Sequence, residues 1–148
     1  MNVTVAASPP ADAATAVGRY RIGKSFRVEA AHRLGGLAEQ HKCSRLHGHS
    51  YTVEVTIGSV ELVGPGFVVD FGDLEVLKQH LTETFDHRLI NDVIDVEPTS
   101  ENIARLIFEW CAAKLPLPDG AYVEAVKVSE TASTWVEYCA PVAAAGRE

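Results

Sequence analysis

The sequence has few cysteines, no long apolar run and no excess of basic residues. Its three cysteines, Cys43, Cys111 and Cys139, are odd in number and widely spaced, which argues against a disulfide framework and favours the reducing cytoplasm. No segment is long and apolar enough to span a bilayer. Because 20 acidic residues outnumber 13 basic ones, the chain lacks the basic stripe that nucleic-acid binding requires. We therefore expect a cytoplasmic protein whose partners include neither nucleic acids nor membranes.

The chain length predicts one domain between two unstructured ends. Residues 1–18 contain no Lys or Arg, and Pro9, Pro10 and Asp12 interrupt any apolar run, so this stretch is a flexible extension rather than a secretory signal. Residues 141–148 are rich in alanine and are expected to fray. The single domain is therefore expected over residues 19–140.

Alternation of apolar and polar residues predicts four strands, and helical spacing of apolar residues predicts two helices. The strands are expected at residues 20–32, 50–60, 122–129 and 133–139. The first helix carries Leu74, Leu77 and Leu81, and the second begins near Ser100 and has Cys111 on its apolar face. This order predicts an α+β fold, a four-stranded antiparallel sheet with two helices on one face. Its bare edge strands would invite pairing with another chain.

Three histidines are placed to share one metal ion. His47 and His49 are separated by one residue, so they project from the same side of a strand, and His32 continues the apolar face of the preceding strand. If the two strands form an antiparallel pair, the three imidazoles meet at one end of a buried face. A structural zinc site normally has four protein ligands, whereas a catalytic site has three and an open position. The cluster therefore predicts a catalytic zinc site.

Other interpretations of the histidines stay open. Cys43 lies four residues before His47 and could be a fourth ligand, which would make the site structural. Any one histidine alone could be a core or solvated residue. His80 lies off the leucine stripe of the first helix and is expected to face solvent, and His41 shares a loop with Cys43 and could touch a substrate.

Several motifs together resemble the 6-pyruvoyl-tetrahydropterin synthase superfamily over residues 26–138. They are His32, the run from Cys43 through His47-Gly48-His49, Phe85-Asp86-His87 and Ser129-Glu130-Thr131. The resemblance implies a tunnelling fold (T-fold), in which subunit sheets join into an oligomeric barrel. Such barrels are typically hexamers of two stacked trimers with active sites between subunits. The short gap between Cys43 and His47 is similar to the bacterial QueD-like branch, 6-carboxy-tetrahydropterin synthase.

The resemblance also implies a role for each motif residue. It implies that His32, His47 and His49 bind Zn²⁺, that Cys43 is the general base, that Asp86 and His87 form the partner dyad for proton transfer, and that Glu130 anchors the pterin ring. These roles suit the chemistry, because a nearby cation makes a thiol a usable base. A carboxylate can likewise accept hydrogen bonds from the N–H edge and the exocyclic amine of a pterin.

The residues alone leave simpler explanations for some of these positions. His87 could complement the C-terminal end of a helix dipole, and Glu130 could be a solvated turn residue. Glu101 is expected to complement the N-terminus of the second helix. The cations expected nearest the site, any of which could contact a triphosphate, are Lys24, Arg33, Lys42 and Arg45.

The resemblance implies a zinc-dependent lyase that converts 7,8-dihydroneopterin triphosphate to 6-carboxy-5,6,7,8-tetrahydropterin, releasing acetaldehyde and triphosphate, for queuosine-type deazapurine biosynthesis. The alternative is the pyruvoyl-forming synthase, which eliminates triphosphate and keeps the three-carbon side chain. A non-catalytic pterin- or metal-binding module is the hypothesis of another class. The presence of Cys43, Asp86 and His87 argues against it, because a binding module needs no proton-transfer residues.

Overall fold

The computed structural model describes residues 17–141. Residues 1–16 and 142–148, which contain most of the predicted extension and tail, lie outside the described residues. The main elements are β1 (Tyr20–His32), β2 (His47–Ser59), α1 (Glu75–Thr84), β3 (Arg88–Leu89), α2 (Ser100–Lys114), β4 (Tyr122–Ser129) and β5 (Trp135–Cys139), with 3-10 helices at Lys42–Ser44, Phe71–Leu74 and Ile90–Asp92. Across these residues, no helix has both the length and the apolar character to cross a membrane.

The sheet has five strands in the order β3-β1-β2-β4-β5. β1 and β2 pair antiparallel along their whole length, and β4 continues the antiparallel pattern to β2 and β5. The prediction of four antiparallel strands is therefore wrong in two respects. The sheet has a fifth strand, β3, and this strand pairs parallel with Ala30 and Ala31 of β1. A strand of two residues is too short to show the alternation from which strands are predicted. The predicted α+β class is confirmed.

Both helices pack on the apolar face of the sheet. Buried side chains of one parity along β1 and β2, such as Val28 and Val55, meet Leu81 of α1 and Ile107 of α2 in a single core. Cys111 is fully buried there, and burial raises the pKa of its thiol to about 12. It is thus the inert core residue that its position on the apolar stripe predicts.

The expectation that His80 faces solvent is wrong. Its ring stacks on Trp110 of α2, with ring centroids 4.1 Å apart and planes 8° from parallel. Thr84 Oγ1 lies 3.3 Å from His80 Nδ1, and burial lowers the pKa of the imidazole. A residue beside the leucine stripe of α1 is therefore half-buried against a side chain of α2.

Candidate metal centre and active site

The antiparallel pairing of β1 and β2 brings the three histidines together. His32, the last residue of β1, lies directly opposite His47, the first residue of β2, and His49 lies opposite Ala30. The ring centroids are 4.6 to 5.0 Å apart, and one nitrogen of each ring lies within 4.8 Å of the others. His32 is 1% exposed. The convergence predicted from the strand pattern is confirmed.

Hydrogen bonds from two of the rings fix their tautomers. His32 Nδ1 lies 2.7 Å from the Pro98 carbonyl oxygen, and His47 Nδ1 lies 2.7 Å from the Arg45 carbonyl oxygen. A carbonyl only accepts, so Nδ1 of each ring donates and Nε2 of each neutral ring carries a lone pair. These two Nε2 atoms are 3.0 Å apart. Two lone pairs at this distance repel each other unless a cation lies between them.

His49 supplies a third free nitrogen. Its Nε2 is buried and has no hydrogen-bond partner among the described residues. Burial lowers the pKa of His49, an effect that Glu130 opposes, so the ring is held in the neutral form that binds metals. Buried nitrogens without partners are costly, and carbonyl partners on the far nitrogens are typical of metal-binding histidines. The donor set therefore fits a divalent cation with a preference for imidazole, such as Zn²⁺.

Tyr51 lies beneath the three rings. Its side chain is 2% exposed, its hydroxyl is 3.2 Å from His32 Nδ1, and its ring centroid is 5.3 Å from that of His49. Burial raises the pKa of the phenol, so it stays neutral and shares the hydrogen of His32 Nδ1. Tyr51 follows His47 and His49 at the two-residue spacing that puts side chains on one face of a strand, which is the signal that could have identified it.

Cys43 lies in the connection between β1 and β2, whose ends carry His32 and His47. It is half-buried in the 3-10 helix Lys42–Ser44, where His41 Nδ1 accepts a hydrogen bond from the Cys43 backbone N–H at 3.1 Å. His41 therefore acts as a cap for this turn. Within residues 17–141, the cluster of mutually close donor atoms consists of the three imidazoles and does not include the Cys43 thiol. This arrangement favours the open site over the closed structural one.

Asp86 and His87 form a hydrogen-bonded pair on the other side of β1. Asp86 Oδ1 accepts from the Glu29 backbone N–H at 2.9 Å, and Asp86 Oδ2 is 3.0 Å from His87 Nδ1. The first of these contacts is the main reason why the pKa of Asp86 is lowered. His87 adopts a positive φ of 57°, which is uncommon for a residue with a side chain, and its side chain is 79% exposed.

The dyad lies immediately before β3, the strand that shares one row of the sheet with His49. His49 of β2 is opposite Ala30 of β1, which is opposite Arg88 of β3. An open cavity of about 510 Å³ spans this row and is lined by His49, His87 and Arg88, among others. The structure thus brings Asp86 together with His87, and His87 lines the same groove as His49 of the metal centre. Arg88 is a cation of this groove that sequence reasoning missed.

Glu130 lies beside the metal centre rather than in solvent. Its Oε1 accepts a hydrogen bond from Ser100 Oγ at 2.6 Å, and its Oε2 is 3.7 Å from His49 Nε2. Ser100, Glu101, Glu130 and Trp135 line a cavity of about 200 Å³. The Glu130 side chain is 29% exposed, and its contacts with Ser100 and His49 link it to two elements far apart in sequence.

Among the predicted triphosphate-contacting cations, Lys24 is already occupied. Its ammonium group bonds the Glu75 carboxylate at 2.5 Å and the Phe71 carbonyl at 3.1 Å. Arg88, by contrast, has no carboxylate within ion-pair distance among residues 17–141. Lys24 is thus the weaker candidate for a phosphate contact.

Comparison with known proteins agrees with this geometry. The family model described as 6-pyruvoyl tetrahydropterin synthase matches residues 21–141. The chain belongs to this family. It is 39% identical over 129 residues to 6-carboxy-5,6,7,8-tetrahydropterin synthase of Synechocystis, covering 81% of this chain and 93% of the relative. It is 33% identical over 127 residues to the Bacillus subtilis enzyme of the same name, covering 80% and 84%.

Solved structures of the family share the fold. The Caenorhabditis elegans 6-pyruvoyl tetrahydropterin synthase superposes with a TM-score of 0.71 at 25% identity, covering 84% of this chain and 98% of that one. The Plasmodium vivax synthase superposes with a TM-score of 0.65 at 17% identity, covering 84% and 99%. The T-fold is therefore confirmed, as the fold of the single chain, for this member of the 6-pyruvoyl tetrahydropterin synthase family.

Proposed function

We propose that this protein is a zinc-dependent carbon–carbon lyase that converts 7,8-dihydroneopterin triphosphate and water to 6-carboxy-5,6,7,8-tetrahydropterin, acetaldehyde and triphosphate. The observation that carries the proposal is the three-histidine centre with a carboxylate beside it, Glu130 Oε2 being 3.7 Å from His49 Nε2. Because the metal site and the pterin anchor are this close, one bound substrate can place its ring at Glu130 and its side chain at the metal. The names of the bacterial relatives support the same reaction.

Each residue has a role that its surroundings allow. His32, His47 and His49 would hold the zinc ion, which when bound polarises the side-chain oxygens of the substrate. Glu130 accepts hydrogen bonds from the pterin ring edge and fixes its orientation. Cys43 removes a proton from the substrate side chain. His87 transfers a proton to or from the same side chain, and Asp86 orients its ring, as carboxylates do for catalytic histidines.

The assembly proposed for this function is a hexamer of two stacked trimers with active sites between subunits. The sheet supports it, because β3 covers only the end of β1 and leaves residues 20–28 without a partner strand on that side among the described residues. Exposed edges of this kind favour pairing with another chain. We place the enzyme in the cytoplasm and in queuosine-type biosynthesis. The free state of Cys43, Cys111 and Cys139 is compatible with a reducing compartment.

The close alternative is the pyruvoyl-forming synthase, which shares triphosphate loss but keeps the side chain intact. The three-residue gap between Cys43 and His47 resembles the spacing in the carboxy-forming branch and therefore favours the carboxy product.

Product analysis tests the proposal. With 7,8-dihydroneopterin triphosphate as substrate, purified zinc-loaded protein should release acetaldehyde and triphosphate in equal amounts. Triphosphate release without acetaldehyde would establish the pyruvoyl-forming reaction instead. Pterin binding with no release of either would establish a binding module.

A further inference from the structure

The turn at residues 98–100, which leads into α2, contacts two parts of the candidate site. The Pro98 carbonyl accepts the hydrogen bond from His32 Nδ1 at 2.7 Å, and Ser100 Oγ donates to Glu130 Oε1 at 2.6 Å. Pro98 and Ser100 are two residues apart, whereas His32 and Glu130 come from opposite ends of the folded chain. This turn is therefore the shared support of a metal ligand and the proposed pterin anchor.

The Ser100 hydroxyl is not needed to begin the helix. Thr99 is the N-cap of α2, and its hydroxyl accepts from the Asn102 backbone N–H at 3.2 Å. An N-cap hydroxyl satisfies one of the free N–H groups of the first turn. Ser100 is 6% exposed, and its hydroxyl is directed to Glu130 instead. This buried hydroxyl at the start of α2 bonds a carboxylate that follows β4, so we infer that it serves that carboxylate.

The orientation of Glu130 depends on this contact. Within residues 17–141, Ser100 is the hydrogen-bond partner of its carboxylate, because His49 Nε2 is 3.7 Å from Oε2 and too distant for a hydrogen bond. The Ser100 bond therefore fixes the rotation of the carboxylate, with Oε1 toward α2 and Oε2 toward the metal centre. Each oxygen keeps a free lone pair for a ligand.

We propose that Ser100 is a positioning residue that sets the Glu130 carboxylate in the orientation that receives the pterin ring next to the metal. The inference rests on the proposed function and adds to it the group that orients the anchor. Ser100 acts through Glu130 and does not itself take part in the chemistry.

The test is equilibrium binding of neopterin, a non-reactive pterin, to zinc-loaded protein. Ser100→Ala should weaken binding about 10–100-fold, the range for a lost hydrogen bond to a charged group, and should lower kcat as well because the ring is misplaced. Zinc content should not change. Ser100→Thr keeps the hydroxyl and should restore most of the affinity.

Two matched measurements separate positioning from a loss of helix stability. Thr99→Ala removes the cap without touching Glu130, so it should lower Tm and leave neopterin affinity unchanged. In a Glu130→Ala background, Ser100→Ala should weaken binding further by about twofold or less, since effects that act through one group are not additive. This double-mutant result holds even if the extra methyl group of Ser100→Thr is not tolerated.

The outcomes distinguish this inference from the proposed function. If the wild type makes acetaldehyde and Ser100→Ala binds neopterin normally, the positioning role is wrong and the function stands. Equal affinity losses in Thr99→Ala and Ser100→Ala, or additive losses with Glu130→Ala, would also overturn it. Wild-type protein that neither binds neopterin nor releases acetaldehyde would contradict the proposed function itself.

Discussion

The three metal-centre histidines differ in how the protein holds them, and this difference decides which substitutions are informative. His32 is almost fully buried and bonded to Pro98, so replacing it would open a cavity as well as remove a ligand. His47 and His49 are less buried. Their removal reports on the metal with less effect on packing.

At these two positions we expect metal loss without unfolding. The wild type should purify with about one zinc per chain, as an open three-histidine site implies, whereas His47→Ala and His49→Ala should lose most of it. Cys43→Ala is the control and should keep its zinc, because the thiol is outside the nitrogen cluster. Metal analysis of the folded proteins measures this. Full zinc retention in both histidine variants, or zinc loss in Cys43→Ala, would contradict the ligand assignment.

Cys43 and Glu130 should affect different steps. Cys43→Ala should leave neopterin affinity nearly intact and lower turnover by about 10²–10⁴-fold, the usual contribution of a positioned acid or base. Glu130→Ala leaves ring donors unpaired and should weaken binding by about 1–3 kcal/mol, with turnover also reduced. Binding and single-turnover measurements on both variants separate the two roles. The opposite pattern, with binding lost only in Cys43→Ala, would mean that the roles are wrongly assigned.

Residue-level prediction from the sequence worked where strand geometry determines position. The period of two along β1 and β2 was enough to bring His32, His47 and His49 together. It could not predict that Pro98 and Ser100 support His32 and Glu130, because those contacts arise from packing of α2 against the sheet. No local pattern encodes a contact between residues 66 positions apart, the separation of His32 and Pro98.

At the scale of elements, the strands and helices followed from periodicity, and the differences lie at their ends and contacts. β2 begins at His47 and β5 at Trp135, where the sequence predicted residues 50 and 133. β3 was missed because two residues have no measurable period. The position of His80 was missed because its stacking partner, Trp110, belongs to another helix, and the pattern of α1 alone does not show that contact.

The His80–Trp110 stack should make the α1–α2 contact sensitive to pH. Burial lowers the pKa of folded His80 below its ordinary 6.5, with Glu83 opposing the shift. The unfolded chain therefore binds the proton first as pH falls, so this stabilising contribution is present above about pH 6.5 and is lost at lower pH. His80→Phe keeps an aromatic ring on Trp110 but does not titrate.

Thermal unfolding of both proteins should show this difference. Between about pH 7.5 and 5.5, on either side of the ordinary histidine pKa, Tm should fall less steeply in His80→Phe than in the wild type. Both proteins keep the same metal centre, so its own pH dependence cancels in the comparison. Identical slopes would mean that His80 contributes nothing to the acid sensitivity of the fold.

At the scale of the whole molecule, the edges of the sheet predict association. β3 is two residues long, and the outer side of β5 has no partner strand among residues 17–141. Light scattering at low micromolar concentration should therefore report a multimer, with a hexamer expected. A folded, fully active monomer would contradict both the barrel and the sharing of active sites.

Mixed oligomers can test whether one active site uses residues of two chains. His87 lies two strands away from His49 in the same sheet, and its exposed side chain is free to face a neighbouring subunit. Cys43→Ala and His87→Ala should each be inactive alone. When they are co-expressed and randomly assembled, about a quarter of wild-type activity should return. Each shared site takes its Cys43 from one chain and its His87 from another, and each of the two is intact in about half of the sites.

A matched pair defines the background of this experiment. Cys43→Ala co-expressed with a Cys43→Ala, His87→Ala double variant contains no intact Cys43 and should stay inactive under the same conditions. If the first mixture is also inactive while its hexamers contain both variants, Cys43 and His87 must act within one chain. Each active site would then lie within one subunit, and the edge strands would serve assembly alone.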